Sequence, residues 1–414
     1  MSTAYVVGGG LAGLSAAVLL AENGRKVELI EGAPQAGGRC RSYFDPVLGQ
    51  VIDNGNHLVL SGNHCVRSYL HSVGADSALV GPDRAEFNFA DLSSGAKWTI
   101  RPNESAFAWW ILSSARRVPD TDPFDYLALL SLLLAGTDKR ISDVIRCEGP
   151  LWDRLLQPFL LAVLNSDPRN ASAALAGAVI RESLAKGGHA YHPRIAHPTL
   201  AAAFVDPALE FLKRKGASVR IGQRVRAVTF DDSRLSALQL PEGAIGVDQG
   251  DTVILAVPPW VATELVPGLT APTEFCSIVN AHFRIAPPAG APLMTGVIGG
   301  LAEWIFAFPD RISITVSGAD AIVDKDREEL ARTFWSEVSK VFNLTTGLPP
   351  WQIVKERRAT FAATPEQAAL RPKTVTRWPN LLLAGDWTDT GLPATIEGAI
   401  RSGQKAARLV LSRT

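Results

Sequence analysis

Near the start of the chain, the run Gly8-Gly9-Gly10-Leu11-Ala12-Gly13 follows directly on the β-branched segment Tyr5-Val6-Val7, and this leaves few folds open. Gly8, Gly10 and Gly13 stand at the G-x-G-x-x-G spacing. Gly8 permits a tight strand-to-helix turn. Gly10 lets backbone approach a pyrophosphate that any Cβ would strike. Gly13 lets the helix pack close to the strand. Leu14, Ala17, Val18 and Ala21 then share one helical face, and Asn23-Gly24 supplies a stop. The first turn, entered at Leu11 and Ala12, presents free N–H groups and the positive dipole end to a phosphate. A second strand, Val27 to Ile30, ends in Glu31, where an acid accepts ribose hydroxyls. The glycine spacing alone is weak. Strand, helix, second strand and acid in this order predict a dinucleotide-binding βαβ unit.

The chain has 414 residues, enough for two large cores. Apolar residues make up 47% and charged ones 20%, a globular balance. Cations and anions match at 41 each, so no charge excess points to nucleic acid. Cys40, Cys65, Cys147 and Cys276 are scattered without a CxxC pair, which reads as reduced thiols of a cytosolic protein. The histidines show no metal-ligand spacing, and no metal is expected. The N-terminus lacks the pattern of a signal peptide. The charge-free run Ile285 to Ala302 contains Pro287, Pro288 and Pro292, so no transmembrane helix is expected there. Two greasy runs, Tyr126 to Thr137 and Leu155 to Ser166, are too short to span a bilayer. They suit core helices or a membrane-surface contact.

Further residues select the cofactor. Gly37-Gly38-Arg39 follows Glu31 closely, and an Arg there can neutralise a pyrophosphate. This placement resembles the flavin-dependent amine oxidase and phytoene desaturase superfamily, which implies FAD rather than NAD. Far downstream, Asn380 to Asp386 reads as a buried strand ending in Gly385-Asp386. In that superfamily such an Asp serves the ribityl chain or the pyrophosphate. A loop containing Pro393, Ala394 and Thr395 follows. Ile396, Ala399, Ile400, Gly403, Ala407 and Val410 then recur at helical spacing. The N-terminus of such a helix can stabilise negative charge on a reduced flavin. Gly216 to Ile221 and Val225 to Val228 look like a strand pair, and the resemblance places the Val225 backbone on the adenine side. Asp251 to Pro259 reads as another buried strand.

Flavin-binding pieces thus fall at both ends and in the middle. The predicted fold is α/β: a Rossmann-like FAD-binding domain of the glutathione reductase type with an inserted α+β substrate domain. The FAD domain takes residues 1–60, 200–265 and 370–414. The substrate domain takes 61–199, expected to be mainly helical, and 266–369. Trp304 to Phe308 and Ile312 to Val316 alternate at period two there, as strands do.

Several stretches carry a closer resemblance. They are Asp53-Asn54-Gly55-Asn56-His57 (Asn56 where the family has Gln), Gln157-Pro158 with Ala162 to Asn165, Glu303-Trp304 (Glu303 in place of Gln), Arg358 to Pro365, and above all Ala384 to Gly403. These resemble the squalene-associated FAD-dependent desaturases, understood as hydroxysqualene dehydroxylases of bacterial squalene and hopanoid biosynthesis. The resemblance implies reductive removal of an allylic hydroxyl, giving squalene and water. That chemistry needs an acid near the hydroxyl, a dry apolar tunnel and placement against the flavin. Trp109 to Leu112, Leu127 to Leu134 and Phe159 to Leu164 offer apolar surface, which suits helix core as well as a tunnel.

His57 is the first candidate acid, because an ordinary imidazole titrates near neutrality; a structural hydrogen-bonding role is equally open. Asp389 is a second candidate. Glu397 suits capping or orienting the C-terminal helix. Trp304 offers its π face to a cation, or simply packs. An oxidative carotenoid or phytoene-type desaturase is the alternative enzyme. The cysteinyl-flavin linkage of some amine oxidases is excluded, since no Cys follows Cys276. A water-insoluble isoprenoid substrate implies a peripheral, cytoplasmic enzyme on the inner face of the cell membrane. Residues 124–136 and 155–166 are its candidate contacts, and other squalene-synthesis enzymes its candidate partners.

Overall fold

A computed structural model describes residues 2–413. Its first sheet is wholly parallel, ordered Ser218–Ile221, Lys26–Glu31, Thr3–Val7, Thr252–Leu255, Leu381–Leu383. Thr3–Val7 is central and buried at every position, as a strand covered on both faces must be. The helices Leu11–Glu22 and Ile396–Leu411 lie together against the sheet. At Gly403 an added Cβ would sit 2.0 Å from the Ala12 carbonyl oxygen, so only glycine lets the two helices touch. Ser15 Oγ crosses the same seam and donates to the Ile400 carbonyl at 3.1 Å. The two ends of the chain therefore close one layer.

The strand pair expected between Gly216 and Val228 does not form. Ser218–Ile221 joins the parallel sheet, whereas Ala227–Phe230 turns away into a separate antiparallel sheet with Leu235–Leu240 and Gly243–Gly246. Gly222 N–H and Gln223 N–H donate to the carbonyls of Ala33 and Glu31, and this divides the two strands.

The second large sheet has seven strands, ordered Trp351–Phe361, Phe275–Phe283, Arg311–Val316, Trp304–Phe308, Met294–Ile298, Phe87–Asp91, Lys97–Ile100. Period-two alternation sorts its side chains. Val279, Ala281, Ile305, Ile312 and Ile314 pack under the helix Arg327–Phe342, through Leu330, Phe334 and Val338. The opposite face carries Asn280, His282, Ser313, Thr315, Trp304, Phe306 and Phe308.

Residues 61–199 are less helical than expected. Phe87–Asp91 and Lys97–Ile100 belong to the seven-stranded sheet, and the helices are short pieces such as Pro123–Leu127, Ala128–Leu133 and Gln157–Leu164. Tyr126, Leu132, Trp152, Leu156 and Leu160 turn inward and share one core cluster with Trp304, Phe306 and Phe308. Among the described residues no helix is long and apolar enough to cross a membrane.

Candidate active site

Two loops form the cradle. Gly8 has φ +109°, and a Cβ there would lie 2.4 Å from the Ala256 carbonyl oxygen. At Gly13 a Cβ would lie 1.8 Å from the Gly8 carbonyl oxygen, so this glycine is fixed by packing. Gly10 differs: a Cβ there would meet nothing within 4 Å. Its glycine is not demanded by the protein's own atoms, and the space above it is open to a pyrophosphate. No side chain caps the helix that starts at Leu11 and Ala12, so its first-turn N–H groups have no side-chain acceptor. The second loop leans on the first. Gly37 N–H donates to the Gly9 carbonyl at 2.8 Å, and a Cβ at Gly38 would lie 3.3 Å from Gly10 Cα.

Glu31, expected to hold a ribose, accepts from the N–H groups of Gly9 and Ala33. Val225 is buried two residues beyond Gln223, whose N–H donates to the Glu31 carbonyl.

Arg39 reaches across to the C-terminal piece. Its Nη2 lies 2.7 Å from both carboxylate oxygens of Asp386, and Nη1 donates to the Ala359 carbonyl. The guanidinium expected to neutralise a pyrophosphate thus also pairs with the acid expected beside it. Asp386 is buried, while Arg39 keeps a 41% exposed side chain that faces solvent-accessible space. Gly385, at φ +150°, lets the Trp387 indole fold back and donate to the Val257 carbonyl at 2.9 Å. Arg371, which no sequence pattern singles out, braces this loop. Its Nη2 donates to the carbonyls of Asp386 and Thr388 and to Thr390 Oγ1. Pro393 is buried, and Ala394 and Thr395 are half-buried. Thr395 Oγ1 accepts from Gly398 N–H at 3.0 Å and caps the C-terminal helix. Open space at Gly10, first-turn N–H groups without a side-chain cap and the half-exposed cation of Arg39 fit a flavin dinucleotide. Of the residues expected to hold it, Gly8, Gly10 to Gly13, Glu31, Gly38 and Arg39 lie on or against the two loops, and Arg39 joins Gly385 and Asp386 to them.

The segment Asp53 to His57 is tied to the seven-stranded sheet through a buried polar network. His282 lies between Ser313 Oγ (2.8 Å) and the Asp53 carbonyl (3.1 Å). Asn280 Nδ2 donates to the Asn54 carbonyl, and Thr315 Oγ1 donates to Asn280 Oδ1 at 2.8 Å. Sequence reasoning missed this set. Its signal was available: Asn280 and His282 stand two apart in an otherwise apolar strand, which puts both on one face.

His57 lies where the cradle meets the second sheet. Burial, with the Arg39 charge second, pushes its pKa down to about 4. Held neutral, the ring keeps one N–H to donate in a hydrogen bond, but it is not the imidazolium that an ordinary titration near neutrality would supply. Asp389 is exposed, and the fold uses its backbone, whose N–H donates to the Pro372 carbonyl. It lacks the dry surroundings an allylic alcohol requires of its proton donor. Glu397 does cap a helix, but another one. Its carboxylate accepts from Cys65 and Val66 N–H (3.1 and 3.0 Å) at the start of the helix His64–Val73. Trp304 is buried on the sheet face that meets the apolar cluster. Glu303 beside it accepts from Ser317 N–H at 2.7 Å, and burial pushes its carboxyl up to about 8. A separate cleft of about 720 Å³ runs between Ser42 to Phe44, His197 to Thr199 and Phe308 to Arg311, and none of the cradle residues lines it.

Known proteins agree with this architecture. The family model described as flavin containing amine oxidoreductase matches residues 11–411. The hydroxysqualene dehydroxylase of Rhodopseudomonas palustris is 54% identical over 99% of this chain and 98% of its own. That of Zymomonas mobilis is 47% identical over the whole of both. A 15-cis-phytoene desaturase from an Oncidium hybrid reaches only 22%, over 98% of this chain and 77% of its own. Among solved structures, the cyclohexylamine oxidase of Brevibacterium oxydans superposes with a TM-score of 0.72 at 15% identity, covering 100% of this chain and 99% of that one; it shares the fold. With its flavin cradle built from both ends and its likeness to these enzymes running the full length, the chain belongs to the flavin-containing amine oxidoreductases, as an FAD-dependent oxidoreductase of the hydroxysqualene dehydroxylase family.

Proposed function

We propose that this enzyme removes the allylic hydroxyl of hydroxysqualene and releases squalene and water. The observation that carries the reading is the full-length likeness to hydroxysqualene dehydroxylases, at 54% identity in one case. The net change replaces a C–O bond by C–H and consumes a hydride and a proton. Reduced FAD, when bound, supplies the hydride.

The chain's own residues do the rest. The glycine loops and Arg39 hold the dinucleotide, and Glu31 holds its ribose. Residues 1–60, 200–265 and 370–414 make the flavin domain; 61–199 and 266–369 make the substrate domain. Trp304, Phe306, Phe308 and Leu160 belong to one apolar cluster, which offers a hydrocarbon chain a dry wall. Dryness matters because water would recapture an allylic cation before it is reduced. Gas chromatography of products after incubating purified holoenzyme with hydroxysqualene and dithionite tests the reading. Squalene is expected, and unchanged hydroxysqualene refutes it.

The same proposal places the enzyme on the inner face of the cell membrane, where a thirty-carbon substrate dissolves. Seven large apolar side chains of the segment 107–134 are exposed: Phe107, Trp109, Leu112, Phe124, Leu127, Leu130 and Leu134. Soluble surfaces seldom gather so many within one short stretch. Of the two candidate contacts, only 124–136 is part of this surface. In 155–166 Leu156, Leu160 and Leu164 are core residues, so that run has no comparable exposed face.

A further inference from the structure

Two polar atoms at the seven-stranded sheet have no partner. Asn56 is 9% exposed and its Oδ1 is unpaired; Trp304 is 7% exposed and its Nε1–H is unpaired. Buried polar groups are seldom left so, and each such case calls for an explanation. The orientation of Asn56 is set by its neighbours. Its amide nitrogen faces the Ile314 carbonyl (3.3 Å), which can only accept, and Thr315 Oγ1 (3.1 Å). The Thr315 hydroxyl proton is already given to Asn280 Oδ1. Both donors of the Asn56 amide are therefore spent, and its oxygen is left over as an acceptor.

Trp304 is the direct cross-strand partner of Thr315. Such a pair shares one sheet face, with Cβ atoms about 5 Å apart. The indole is held by Phe89 edge-on (centroids 5.7 Å apart, planes at 62°) and lies against Gly296, where a Cβ would come within 3.2 Å of the ring. One residual acceptor and one residual donor thus belong to side chains that both adjoin Thr315, Asn56 by its hydrogen bond and Trp304 by its cross-strand pairing. Asn54, two residues before Asn56, donates its N–H to the Arg41 carbonyl at 3.0 Å and turns its Nδ2 toward the Arg39 carbonyl at 3.5 Å. Asn56 is thus tied, two residues away, to the loop that carries Arg39.

We propose that Asn56 and Trp304 clasp the substrate's hydroxyl, Asn56 Oδ1 accepting its proton and Trp304 Nε1–H donating to its oxygen. This rests on reading the substrate as an allylic C30 alcohol, and it assigns the residues that recognise its polar end. A hydrocarbon alcohol carries one O–H and oxygen lone pairs, which is the complement of the two atoms left over. The product has no hydroxyl and leaves both atoms unpaired again, so the clasp favours substrate over product and speeds release.

Oxidised holoenzyme binds without turning over. Affinities for hydroxysqualene and squalene can therefore be compared by perturbation of the flavin absorbance in micelles of fixed composition. Wild-type protein is expected to prefer hydroxysqualene. Trp304→Phe, which removes the N–H, should weaken hydroxysqualene binding about fivefold to tenfold while squalene binding and FAD content stay unchanged. Asn56→Leu should do the same. Parallel weakening of both ligands, or an unchanged ratio in both variants, overturns the clasp. The functional reading is tested apart from this: if wild-type enzyme with reductant makes no squalene, that reading falls whatever the variants do. If squalene forms but the ratio never moves, the clasp alone falls.

Discussion

Glycine is required at two neighbouring positions for different reasons, and substitution separates them. The Cβ of Gly13→Ala would overlap the Gly8 carbonyl at 1.8 Å, so this variant should fail to accumulate as folded protein. Gly10→Ala meets no protein atom. It should fold with near wild-type far-UV circular dichroism yet purify without yellow colour. Titration follows the same local logic. His57 and His282 are held neutral, with pKa values pushed down from 6.5 to about 4 and about 3, burial being the larger cause for both. Below pH 6.5 the unfolded chain takes up protons that the folded one refuses, so stability falls as pH drops through this window toward 4. Glu303 has the opposite sign. Its carboxyl, raised from 4.5 to about 8, keeps a proton that the unfolded chain releases, so stability falls as pH rises from 4.5 to 8. A protonated Glu303 is neutral and nearly isosteric with the Gln it replaces, which makes the departure from the family pattern a mild one. Glu303→Gln should raise the melting temperature, with a gain that grows between pH 5 and pH 8. An equal gain at both pH values would refute this.

Elements are joined here by a few buried polar contacts at their ends. Glu397, on the first turn of the C-terminal helix, accepts the leading N–H groups of His64–Val73 and also receives Arg401. Burying a carboxylate is acceptable because each oxygen finds a donor and the helix dipole favours the charge. Glu397→Ala strands those donors and should cost on the order of 2 kcal/mol in urea unfolding, with the slope unchanged. A cost below a few tenths would mean that water replaces the carboxylate freely. At this scale the sequence was legible where one element carries its own signal. The opening strand, its helix and Glu31 lie where their pattern put them, and the helix predicted from Ile396 spans Ile396–Leu411. It was illegible where two distant segments meet. That Glu397 serves a helix more than three hundred residues earlier, or that Arg371 braces the Gly385 loop, has no local pattern to betray it.

Across the whole molecule, residues 107–134 turn their inner side chains toward the core that holds Trp304 and their outer ones toward solvent. An apolar outer face is what the proposed uptake of an isoprenoid from lipid requires of a surface segment. Flotation with vesicles of bacterial phospholipid should carry the wild-type protein upward. A Phe124→Asp, Leu134→Asp double variant should stay at the bottom while keeping its FAD and its melting temperature. Equal flotation of both proteins would remove the membrane-facing role from this segment.

Features that depend on neighbours along the chain could be read without a fold: glycine spacing, strand and helix periodicity, the acid that ends the second strand, and motifs long enough to mark a family. Each is fixed by backbone geometry over a few residues. The packed chain fixed which protons are held and which polar atoms stand alone. It neutralised His57, kept Glu303 protonated, sent Glu397 to a distant helix and left Asn56 and Trp304 with a bond each to make. Those outcomes depend on burial and on partners brought from hundreds of residues away, and one stretch of sequence contains neither.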